Sequence, residues 1–234
     1  MDKEEFSELV NIVLDNTARP PRELFANGYD DWHCRARLGH FLAMPEFNRL
    51  DAAKELFMSV LDVEPDEENS QDVEEKAYAL QHLSQVEKDQ KIYNKALEHI
   101  NMAIETAESY DYLYKYILRG ELWAQRWNIM HLMKQTEDAE AEVDERIEVF
   151  KDIPIEHNSY LYYGYRFKAQ LAAERGVPLV AKDYMHMALH NMEITEQYKK
   201  RLDKAFAATH ENISWILSEI DKATPNPDNL HWDI

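Results

Sequence analysis

His186 and His190 stand at i and i+4, a spacing that lays two imidazoles on one helix face where they can hold a metal, and Glu193 follows nearby. No second pair of ligands accompanies them, so they read as a polar surface face. Trp32-His33-Cys34 with His40 raises the same question. Cys34 and His40 are six residues apart, a helical separation that points the two side chains in different directions. Met185, Met187 and Met192 suit an adaptable binding face or, more simply, core filling on a packed helix. The chain holds no phosphate loop, nucleophile elbow or H-E-x-x-H, and His210-Glu211-Asn212 lacks the second histidine. No carboxylate pair stands out from the 45 acidic residues as an acid–base couple. These residues therefore point away from an enzyme and call for no cofactor and no metal.

Composition narrows the partners. Acidic side chains outnumber basic ones, 45 to 26, for a formal charge of -19. Phosphate contacts need clustered Lys and Arg, so neither nucleic acid nor an anionic membrane is an expected partner. No apolar run approaches the ~18 residues of a membrane span. The first residues, MDKEEFSELV, lack the basic start and apolar core of a signal peptide. A cytoplasmic protein is expected, and the single Cys34 excludes an internal disulfide framework.

The elements that must position any site are helical. Phe6, Leu9, Val10 and Val13 predict a first helix over 3–14, ended by Arg19-Pro20-Pro21-Arg22. Asp30 or Asp31 can cap the next, which runs from Trp32 to Met44, and its partner spans about Arg49 to Val63. Asp66 to Asp72 has no apolar residue and reads as a solvated loop. Ala77 to Glu108 then shows two amphipathic helices, with Leu80, Leu83 and Val86 before a polar break at Lys88–Lys91 and Ala96, Ile100 and Ala103 after it. Tyr110 to Met133 is apolar on several faces and is placed inside the molecule. Ala139, Val143, Ile147 and Phe150 form the face of a charged helix after Gln135-Thr136. In the next pair Gly176 occupies the turn and Pro178 the first helical turn. Leu202, Phe206, Thr209, Ile213, Ile216 and Ile220 form a narrow seam on a long helix over 195–222, a capping element, before a tail at 223–234 expected to be mobile.

The stretch Ala77 to Glu108 resembles a tetratricopeptide repeat, a helix-turn-helix unit of about 34 residues, with Leu80, Leu83, Ser84, Tyr93, Ala96, Ile100 and Ala103 at the pattern's positions. Tyr165, Ala169, Ala172, Gly176, Ala181, Met185 and Ala188 match it again, and Leu38-Gly39, Leu42, Ala53, Phe57 and Pro65 match it in part, with a turn about two residues too long. The resemblance implies an all-α, antiparallel helix-hairpin array in a right-handed superhelix. About four hairpins would fill 30–194, after an N-terminal helix and linker at 1–29 and before the long capping helix. It implies that the first helix of each repeat lines a concave groove that holds a protein segment. Carried onto this chain, the groove positions are Tyr78, Gln81 and Gln85, then Tyr112, Lys115 and Arg119, then Tyr163, Arg166 and Gln170. Tyrosine offers rigid contact area at little entropic cost, and the cations can orient an acidic side chain or a terminal carboxylate. The alternative at each place is a tyrosine packed between helices and a cation paired with a neighbouring Glu or Asp. The family's chaperone-tail clamp is not reproduced, since Gln81 and Gln85 stand where Lys and Asn are required. The expected function is a non-enzymatic adaptor or regulator binding a protein or peptide partner. A sensor of a small signalling peptide, an enzyme on a helical array, and a homodimer closed by the Tyr-rich and Met-rich faces are the alternatives.

Overall fold

The computed structural model describes residues 1–17, 22–66, 69–109, 116–152 and 159–191, and these are all-helical. The helices are α1 (Lys3–Asn16), α2 (Trp32–Ala43), α3 (Leu50–Met58), α4 (Ser70–Asp89), α5 (Tyr93–Glu108), α6 (Tyr116–Leu132), α7 (Thr136–Phe150), α8 (Ser159–Glu174) and α9 (Pro178–His190), with a short 3-10 turn at Arg22–Phe25. The expected capping helix over 195–222 and the tail at 223–234 lie outside the described residues. The chain divides into two compact units, Met1–Tyr114 and Lys115–Ile234.

Local chemistry sets the helix starts. Asp2 accepts from the backbone N–H of Glu4 and Glu5, and Asp31 from that of His33, each satisfying donors that a helix leaves open. The polar run Asp66–Asp72, read as loop, is partly helix. Asn69 accepts from Gln71 N–H at 3.1 Å, which starts α4 at Ser70 and puts Asp72 in the first turn, where the helix dipole favours an anion. Polarity there signals a helix start.

Three hairpins share one turn. Lys91, Lys134 and Gly176 adopt left-handed φ values of 62, 68 and 73°. In each case the next residue donates back across the turn: Ile92 N–H to Glu87 C=O (2.8 Å), Gln135 to Met130 (2.9 Å) and Val177 to Ala172 (3.0 Å). The left-handed residue itself donates to Lys88, His131 or Ala173. This is the Schellman closure, which ends one helix and starts the next two residues later. The α2–α3 connection differs, running through Met44–Arg49 with Asn48 left-handed at 47° and Arg49 N–H returning to Leu42 C=O.

Within the first unit α2 packs on α3 and α4, α3 on α4, and α4 on α5. Within the second, α6 packs on α7 and α8, α7 on α8, and α8 on α9. Both units thus stack a hairpin against the first helix of the next. Close approach has a residue-level cause at Gly39, where an added Cβ would lie 2.8 Å from Phe57 Cε1, so only glycine lets α3 seat its buried ring on α2. On α4, Ser84 instead donates to the Ala96 carbonyl at 2.8 Å and satisfies its own burial.

Two buried charges lock the first unit. Lys76, only 4% exposed, donates to the carbonyls of Val60, Leu61 and Val63 in the turn that follows α3. Burial pushes its ammonium below the usual lysine value. Glu87 bridges Lys54 of α3 (3.0 Å) and His99 of α5 (2.6 Å), tying three helices through one carboxylate.

Candidate peptide-binding face

The shared turns fix which residues of the first helices are equivalent. Counted back from Lys91 and Gly176, Tyr78 and Tyr163 hold the same place, as do Gln81 and Arg166, and Gln85 and Gln170. Counted back from Lys134, those places in α6 belong to Glu121, Ala124 and Asn128. The sequence pattern had assigned them to Tyr112, Lys115 and Arg119. Counting from the turn thus puts the row nine residues later than the sequence pattern does. Tyr112 and Lys115 lie outside the described residues, and Arg119 sits half-buried beside Gly120 early in α6.

In the first unit Tyr78, Gln81 and Gln85 fall on one side of α4, all half-buried. The Tyr78 ring stacks on His82 at 6.3 Å, which holds it against the helix. Gln85 Nε2 donates to both Asp89 carboxylate oxygens at 3.0 Å, fixing the amide with its nitrogen turned toward the helix end. The same device recurs in the second unit, where Gln170 Nε2 donates to Glu174 at 3.0 Å. Tyr163 differs from Tyr78. It is 8% exposed and its hydroxyl donates to Glu121 Oε1 at 2.9 Å. Burial, with the Glu121 charge beside it, pushes the phenol well above the usual tyrosine value. Tyr163 is therefore part of the α6–α8 packing. Arg166 stays half-buried next to it.

The polar contacts joining α2 to α4 were not anticipated. His33 Nδ1 meets Asp31 at 3.0 Å and its Nε2 meets Asp72 at 3.1 Å. Arg37 forks onto Glu75 with bonds of 2.8 and 2.9 Å, while burial still pushes the Glu75 carboxyl up against the opposing pull of Arg37. His40 Nδ1 lies 2.8 Å from His82 Nε2. The available signal was the i, i+4, i+7 spacing of His33, Arg37 and His40, which puts them in one row. Cys34 faces elsewhere, buried with its thiol donating to the Leu24 carbonyl, and burial raises its pKa.

Among the described residues no group of three or more His, Cys, Asp or Glu is arranged to hold a metal. His190 is exposed, Met185 is buried, Met187 is exposed, and Glu193 and Met192 lie outside the described residues. No described helix is long and apolar enough to cross a membrane. No family model matches the chain, and neither a curated protein nor a solved structure matches it.

Proposed function

We propose that this protein is a non-enzymatic adaptor or regulator, a tetratricopeptide-like array working in the cytoplasm that holds an extended segment of a partner protein. The carrying observation is the row Tyr78, Gln81 and Gln85 on α4, with the Gln85 amide nitrogen committed to Asp89. That commitment leaves its carbonyl oxygen as an oriented acceptor for a main-chain N–H, and Tyr78 adds a held aromatic surface. Hairpins closed by one repeated turn support the likeness to repeat scaffolds, which present such rows to ligands.

The test is affinity purification from cell extract with the full chain and with a Tyr78→Ala, Gln81→Ala, Gln85→Ala triple variant. A partner retained by the native chain should be lost by the variant, whose melting temperature should fall by no more than a few degrees. A partner held equally well by both would remove α4 from the binding surface.

A further inference from the structure

The first two hairpins meet through two imidazoles. His40 Nδ1 and His82 Nε2 are 2.8 Å apart, with ring centroids separated by 4.4 Å. The His82 ring also lies parallel to Phe57 at 5.9 Å and to Tyr78 at 6.3 Å, so it is packed between aromatic surfaces. At this separation one nitrogen donates and the other accepts, which requires at least one neutral ring. Two imidazolium rings would set N–H against N–H and add like-charge repulsion.

We propose that the His40–His82 contact is a proton-operated clasp, closed while one ring is neutral and released, α2 from α4, when both carry a proton. Described charged groups around it are engaged with partners of their own. On α2, Arg37 is committed to Glu75 and His33 to Asp31 and Asp72. α3 presents the uncharged Phe57 ring, and its Lys54 is engaged by Glu87. On the α5 side, His99 is bound to that same Glu87. On α4 itself the neighbour is Tyr78.

Burial holds the His82 ring far below the ordinary imidazole value, at about 3, and the charge of His40 pushes the same way. The closed clasp thus binds fewer protons than the open one between about pH 3 and about pH 6.5, the value of an exposed imidazole. Its stability is complete above that window and drains away as the pH falls through it. For one such group the open-to-closed ratio rises roughly thirtyfold from pH 7.5 to pH 5. Because Tyr78 leans on His82, acid also frees the ring at the head of the α4 row. The clasp does not depend on what that row binds.

Hydrogen exchange on the full chain reads this directly. Corrected for intrinsic exchange rates, amide protection in α2 and α4 should drop roughly thirtyfold between pH 7.5 and pH 5, and at most a few-fold in His82→Gln, which keeps a hydrogen bond without a titrating ring. An equal drop in both proteins, or none in the native chain, would overturn the clasp. Should His82→Gln fail to fold, ring-nitrogen NMR of the native chain decides. A His82 ring still neutral at pH 5 supports the proposal, and one half-protonated near pH 6.5 refutes it.

Discussion

The two units build the same joint from different chemistry. In the first, α2 meets α4 through His33–Asp72, Arg37–Glu75 and His40–His82. In the second, α6 meets α8 through Tyr163–Glu121, His131–Glu174 at 3.0 Å, and Trp127 packed on Phe167. Yet hairpins in both close with the same Schellman turn, and in both a second helix packs under the next first helix. Backbone geometry at the turn and close packing of helices fix the hairpin, so the joining residues are free to diverge. One consequence is opposite pH sensitivity. His82, with its lowered pKa, makes the first unit sensitive to acid. Tyr163, with its raised pKa, is sensitive to alkali: the unfolded phenol ionises first, so stability is complete below about pH 10 and is lost as pH rises beyond it.

Removing a shared charge should have the largest effect. Glu87→Ala takes the shared carboxylate from buried His99 and from Lys54, which keeps only its bond to the Gln90 side-chain carbonyl, and should cost about 3–5 kcal/mol, read from the denaturant midpoint. Its counterpart in the second unit is smaller. Tyr163→Phe removes a hydrogen bond to the Glu121 carboxylate and should cost about 1.5–3 kcal/mol. The variant should also flatten the loss of stability above pH 10, and an unchanged alkaline profile would assign that loss to another group. Gly39→Ala should cost about 1–3 kcal/mol by pushing Phe57 off α2.

The smallest effects test the shared turn itself. Lys91→Gly and Lys134→Gly should each stabilise by about 0.5–1 kcal/mol, because a side chain at positive φ is strained there. Gly176→Ala should destabilise by a similar amount. If the two lysine positions respond in opposite directions in thermal melts, the turns are not equivalent and the register that assigns Glu121 the place of Tyr78 loses its basis.

Local sequence accounted for most helices. Apolar spacing marked α1, α2, α5 and α8, and the breaks at Lys88–Lys91, Gln135-Thr136 and Gly176 fell at turns. It misjudged Asp66–Asp72, where polarity marks both a loop and a helix cap. It left the register of α6 open, because apolar residues on several faces give no phase. The repeat pattern put Tyr78 and Tyr163 at like places and could not tell that Tyr163 is packed against Glu121.

What the sequence determined by itself is the run of helices and their turns, because spacing, capping residues and breaks act within a few positions of the chain. Which side chains meet across helices was decided only in three dimensions. His40 finds His82, and Glu87 finds both Lys54 and His99, because each helix is rotated and slid until its small residues and rings fit its neighbours, and no local pattern encodes that phase.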